Sequence, residues 1–95
     1  MLEIKYTKTA FNDLDKIFKL IFEDKKNVAI EYINKLRKYI KLLEENPYMG
    51  VDCKNKHINK KCRIIILESY NIYYSIEKDY IKILKIINAK QLQKI

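Results

Sequence analysis

Glycine, proline and histidine each occur once in this chain, at Gly50, Pro47 and His57, and there is no tryptophan. A sequence so poor in glycine and proline leaves no stretch that reads as a linker or a low-complexity tract. No apolar run approaches the roughly 18–20 residues needed to cross a bilayer, so no membrane span is expected. The start, Met1-Leu2-Glu3-Ile4-Lys5, lacks the basic-then-apolar layout of a secretory signal, and a cytoplasmic protein is the expectation. Arginine is confined to Arg37 and Arg63; the rest of the twenty basic side chains are lysine. Cys53 and Cys62 are the only cysteines, with His57 between them as Cys-x3-His-x4-Cys. Three ligands fall short of the four a structural zinc site wants, so neither a metal nor a cofactor is expected. A disulfide would close a short loop but is unexpected in a reducing cytosol, which leaves two ordinary thiols as the expectation.

What is present is apolar and basic. Hydrophobic residues make up 48% and aromatics 12% of the 95 residues, enough for one modest core and too little chain for two, so residues 1–95 read as a single domain. The formal net charge of +8 points to a polyanionic partner: nucleic acid, a ribosome or an acidic protein. The abundance of lysine, isoleucine and asparagine is also what an AT-rich genome imposes, so charge alone does not decide function.

The order of elements follows from periodicity. Leu2, Ile4 and Tyr6 alternate with Glu3, Lys5 and Thr7, the pattern of a half-buried strand. Thr7 or Thr9 then offers a side-chain oxygen to cap a helix, with Asp13 and Asp15 favourable near its positive end. Phe11, Leu14, Phe18, Ile21 and Phe22 give that helix one apolar face, and it fades near Asp24–Lys26. Asn27 is positioned to cap a second helix, whose seam is Ala29, Ile33, Leu36, Ile40 and Leu43. Pro47 disfavours helical geometry at Asn46 and closes it at Glu45–Asn46. The stretch to Lys61 is irregular and basic, with Gly50 where a reversal would want a permissive backbone. Three β-rich runs follow, starting at Arg63, Tyr70 and Tyr80, the last two joined through Glu77-Lys78-Asp79. The result is β-α-α-β-β-β, an α+β fold with a helical hairpin on a mostly antiparallel sheet.

Four stretches in this order resemble the RelE/ParE toxin family. They are Tyr6-Thr7-Lys8-Thr9-Ala10 with Leu14 and Ile17, and Leu43-Glu44-Glu45-Asn46-Pro47-Tyr48-Met49-Gly50. The others are Arg63 leading into Tyr70-Asn71-Ile72-Tyr73-Tyr74-Ser75-Ile76, and Ile83-Leu84-Lys85-Ile86-Ile87-Asn88-Ala89-Lys90. The resemblance implies a toxin of a type II toxin–antitoxin system, a growth inhibitor with a role in plasmid stabilisation, bound by a cognate antitoxin. ParE-like members poison DNA gyrase and RelE-like members cut mRNA on the ribosome. A third reading is a non-toxic or decayed module that keeps only its antitoxin-binding surface.

RNA cleavage needs 2′-OH activation, charge stabilisation at phosphorus and an acid for the leaving oxygen. Where RelE-like cutters tend to carry an Arg and a His, this chain has Asn71 and Asn88. The reading therefore leans to a gyrase target. If the chain is a nuclease, Arg63, Lys90 and His57 are the catalytic candidates, His57 being the only side chain whose ordinary pKa suits proton transfer near neutrality. Lys54, Lys56, Lys60, Lys61, Arg63, Tyr73 and Lys90 are the candidates for target or nucleic-acid binding. Each has a plainer reading as well: a solvated lysine, an Arg that only makes an ion pair on a strand edge, a loop histidine. Tyr70 and Tyr74 share a face with Ile72 and Ile76 and belong to the core; Tyr73 points the other way, toward the surface.

Overall fold

A computed structural model describes residues 2–56 and 61–89. Strand β1 (Glu3–Tyr6) leads into helix α1 (Lys8–Phe22), and α2 (Lys26–Lys41) returns antiparallel to it, ending in a 3-10 turn at Leu42–Glu44. A two-residue strand, β2 (Val51–Asp52), and a 3-10 turn at Cys53–Lys56 precede β3 (Arg63–Leu67), β4 (Tyr70–Ile76) and β5 (Tyr80–Asn88). The five strands run in the spatial order β1-β5-β4-β3-β2, with β1 parallel to β5 and every other pair antiparallel. The α+β class and the mostly antiparallel sheet are as the sequence indicates. β2 was not expected: two residues carry no periodicity, and pairing with Ile64 and Arg63 makes them a strand.

The helical hairpin covers one face of the sheet. Ala10, Leu14 and Ile17 of α1 and Leu36 and Ile40 of α2 meet Ile65, Ile72, Tyr74, Ile81, Ile83 and Ile86 from β3, β4 and β5. Their spacings of three and four on the helices and two on the strands are what deliver them to one core. The strand parity holds along β5 only because Leu84 is extra. Tyr73 pairs with Lys85 and Tyr74 with Ile83, so a bulge at Leu84 lets Ile83 and Ile86 both face the helices.

Several local expectations are revised. Thr7 does cap α1, accepting from the Ala10 amide at 3.0 Å, and also donates its hydroxyl to the Leu84 carbonyl at 2.9 Å. Asp13 lies beyond the first turn of α1; its carboxylate instead accepts from the Ile86 amide at 2.9 Å. β1 stops at the level of Ile83, so Thr7 and Asp13 partner the edge of β5 that β1 no longer reaches. Asn27 is not the cap of α2: the helix starts at Lys26 after an extended Lys25, with no side-chain cap. α2 proper ends at Lys41, and the chain then tightens into the 3-10 turn before Pro47.

Gly50 is needed for space and not for a left-handed backbone, since its φ is not positive. A Cβ there would lie 2.6 Å from the Tyr74 hydroxyl and 2.8 Å from the Ile64 carbonyl oxygen. That hydroxyl accepts from the Gly50 amide at 3.0 Å and donates to the Pro47 carbonyl at 2.7 Å. Gly50→Ala is expected to cost about 2–3 kcal/mol through overpacking. Tyr74→Phe is expected to cost about 1–3 kcal/mol by stripping two backbone groups of their partner. Urea unfolding of both single variants and the pair should show less than additive losses, because both disrupt one contact.

Candidate target-binding face

The sheet face turned away from the helices carries the opposite parity. Lys5 on β1, Ile64 and Ile66 on β3, Asn71, Tyr73 and Ser75 on β4, and Lys82 on β5 alternate with the core residues in register. Beyond the bulge Lys85 and Ile87 join them. Only part of this face is covered: Cys53, Cys62, Ile64 and Tyr73 form a small second cluster, with Leu84 and Ile87 packed beside it. Ile66 stays half exposed.

Cys53 and Cys62 are joined by a disulfide, with Cα atoms 5.3 Å apart. This corrects the expectation of two free thiols. The physical reason is local: the Cys53 amide donates to the Cys62 carbonyl at 2.9 Å, pairing the two ends of the segment, and both side chains turn into the same cluster. Compartment chemistry argued against the bond; the backbone brings the sulfurs together regardless.

The sequence-derived candidates divide three ways. Lys54 and Lys61 are exposed, Lys54 on an Asx turn in which its amide donates to the Asp52 carboxylate at 2.9 Å. Lys56 closes the 3-10 turn that begins at Cys53. His57, Lys60 and Lys90 lie outside the described residues. Arg63 and Tyr73 are in place but engaged. The Arg63 guanidinium donates from Nε to the Gly50 carbonyl at 3.0 Å, lies 3.9 Å from the Asp52 carboxylate and stacks 5.2 Å over the Tyr48 ring. Tyr73 does face away from the helices, yet it is only 4% exposed, because the disulfide-linked cluster packs on it and the Lys85 ammonium sits 4.9 Å over its ring. Its expected place at the surface is therefore corrected. Asn71 lies on this face between Ile66 and Ile87, and Asn88 sits opposite Tyr70 at the end of β5.

Lys5, Lys82 and Lys85 were missed as candidates. Lys5 and Lys82 are register neighbours on β1 and β5, and Lys5 lies 4.6 Å over the Tyr80 ring. Period-two alternation would have found Lys5 and Lys82; the bulge hides Lys85 from it. The cationic excess is uneven along the chain. Residues 8–45, which include both helices, carry nine basic and seven acidic side chains, and residues 46–95 carry ten and four. Residues 46–95 therefore hold most of the net charge, which suits a partner that is acidic or polyanionic.

Tyrosines report how this scaffold is tied together. Burial pushes the Tyr74 hydroxyl above its ordinary value, partly offset by the Gly50 hydrogen bond and the Arg63 charge. Tyr32 on α2 is pushed up to about 12 by burial and by the neighbouring Glu68 and Tyr70.

Residues 4–93 match the family model described as the ParE toxin of the type II toxin–antitoxin system parDE. The chain belongs to the ParE toxin family. The fold also matches a structure described as the chromosomal ParDE toxin–antitoxin system from P. aeruginosa, at 21% identity and a TM-score of 0.79, covering 93% of this chain and 96% of that one. A conserved hypothetical protein from Helicobacter pylori, solved in solution, matches at 21% identity and a TM-score of 0.54, over 97% of this chain and 99% of that one. No curated protein matches the sequence. The family makes this chain a toxin-type member of a toxin–antitoxin system.

Alkali gives a direct check on the tyrosine contacts. The folded state holds the Tyr32 and Tyr74 protons to higher pH than the unfolded chain does, so their contribution to stability is complete below about pH 10. As pH rises above that value the unfolded chain loses protons first and stability falls, for Tyr32 through its folded value of about 12. Chemical denaturation between pH 8 and 12 should show this loss, and Tyr32→Phe should make the profile shallower.

Proposed function

We propose that the chain is a growth-inhibiting toxin that acts on DNA gyrase in the cytoplasm and is silenced by an acidic cognate antitoxin. The observation that carries the choice of target is the engagement of Arg63. It is the sole arginine on the sheet, and its Nε–H is committed to the Gly50 carbonyl, with Asp52 and Tyr48 flanking the rest of the group. A guanidinium that braces the 47–50 turn is poorly placed to clamp a scissile phosphate. Asn71 and Asn88 have no titratable proton near neutral pH and no charge to neutralise a phosphate. These features favour inhibition by binding over RNA cleavage, in keeping with the ParE family.

The partner reading rests on charge and on apolar surface. Phe11 and Leu20 on α1 are 65% and 68% exposed, and Val28 and Ile30 on α2 are also open. Exposed apolar side chains on a helical hairpin within a +8 chain suit an acidic amphipathic segment. Among the described residues no helix is long and apolar enough to cross a membrane.

Inducing the chain alone should arrest growth, with loss of plasmid supercoiling and DNA breaks while translated messages stay intact. Early cleavage inside translated messages would reverse the target assignment, and unharmed cells at high expression would remove the toxin reading. Antitoxin association should slow about tenfold or more between low and physiological salt if charge steers it; stopped-flow mixing measures this.

A further inference from the structure

One half of the disulfide, Cys62, borders a pocket. The pocket, of about 250 Å³, is lined by Lys61, Cys62, Arg63, Ser75, Ile76 and Glu77. Of the two bonded cysteines, Cys53 is fully buried and Cys62 is 8% exposed. Two cationic residues flank Cys62 in sequence and line the same pocket. Glu77, on the β4–β5 connection, is the acidic member, and its carboxylate accepts from the Ser75 hydroxyl at 2.8 Å. Arg63 is partly offset by Asp52 at 3.9 Å, whereas Lys61 is exposed with no described partner carboxylate within ion-pair distance.

We propose that Cys53–Cys62 is a thiol–disulfide exchange site for small anionic thiols, entered at Cys62 beside Lys61 and Arg63. Exchange begins with a thiolate, and a cationic pocket raises the local concentration of an anionic one. The incoming thiolate attacks Cys62 Sγ; the new S–S bond forms as the Cys53–Cys62 bond breaks. Cys53 leaves with the electron pair and takes a proton from solvent. A second thiolate attacks the small-molecule sulfur of the mixed disulfide, releasing Cys62 as a thiolate that is protonated in turn. Two small thiols become one small disulfide, and the protein disulfide becomes two thiols. The buried position of Cys53 makes it the leaving group in both the geometry and the sequence of steps. Oxidation runs the same path backwards with a small disulfide as oxidant.

The consequence falls on the basic segment. The bond holds the ends of a stretch whose sequence carries Lys54, Lys56, His57, Lys60 and Lys61. Apart from the bond, those ends are tied by the Cys53–Cys62 backbone hydrogen bond, by the two-residue pairing of β2 with β3 and by a cluster of four buried side chains that includes the two cysteines. Reduction therefore loosens the cover over Tyr73. This inference does not depend on the toxin reading, and its test does not use growth.

The oxidised protein is treated under native conditions with reduced glutathione or with neutral 2-mercaptoethanol, quenched with acid, and mapped by mass spectrometry. Rates are taken per thiolate and relative to the same protein in denaturant. The mixed disulfide is expected on Cys62, with glutathione favoured at least about threefold at low salt, and Lys61→Glu is expected to remove that preference without moving Tm. Lys61→Gln should give an intermediate preference. Hydrogen exchange on the reduced protein should show lost protection around Ile64 and Tyr73 with the helical core retained. Exchange only in denaturant, a mixed disulfide on Cys53, or a preference indifferent to Lys61 would overturn the assignment.

Discussion

A single phenolic oxygen closes the turn between the helices and the sheet. The Tyr74 hydroxyl donates to Pro47 and accepts from Gly50, so the chain leaving the last helical turn is fixed at both ends of a four-residue reversal. Tyr74 is fully buried in the main core, which means the packing of β4 against both helices sets where that oxygen lies. Gly50 follows from this: only a residue without Cβ lets its amide come within hydrogen-bond range of an oxygen held there. Its carbonyl in turn accepts from Arg63 at the start of β3. β2 is thereby laid beside β3, and Cys53 arrives opposite Cys62. Core, turn, edge strand and disulfide depend on one another in that order.

The other junction is β5, the strand with the most to satisfy. It pairs with β4 along its length and with β1 for only four residues. Past that point α1 begins, and the exposed edge of β5 is met by side chains. Thr7 caps the helix and bonds the Leu84 carbonyl, while Asp13 takes the Ile86 amide. A helix start and a strand edge therefore share the same polar groups, which leaves few buried donors unmet. The bulge at Leu84 lies within this same stretch, and it resets parity so that Ile86 returns to the core and Lys85 to the outer face.

The core was readable because its cause is periodic. Ala10, Leu14, Ile17, Leu36 and Ile40 repeat at helical spacing, and Ile72 and Tyr74 alternate along a strand, so each face is written locally. The misses share a different cause. Asp13 looks like a dipole residue until β5 is seen beside it, and Gly50 looks like a flexible hinge until Tyr74 fills its space. Asn27 fits a cap by type, but the helix already begins at Lys26, after an extended Lys25. The surface was harder still. Alternation put Tyr73 on the correct face, and no pattern in the sequence says that the linked Cys53 and Cys62 pack over that face. Lys85 was invisible because a bulge shifts the count by one.

This arrangement also governs how the outer face distributes its charge. A nuclease concentrates its charges on one atom, and a docking surface spreads them. On the outer face Lys5 and Lys85 are drawn over the Tyr80 and Tyr73 rings, and Lys82 lies beside Lys5 in register. Each is held by its own aromatic or strand neighbour, not by a shared focus. Arg63, the one guanidinium on the sheet, donates to Gly50 instead. Spread lysines give long-range attraction and speed of encounter, with little power to stabilise a developing charge at a defined point. The half-exposed Ile66 lies toward the β3–β4 hairpin end of the same face, across Asn71 from Ile87, while Lys5 and Lys82 lie toward the other end. Lysine and apolar side chains therefore occupy different stretches of the face, with Lys85 opposite Tyr73 between them. Lysines spread in this way give no single point at which a developing charge would be held.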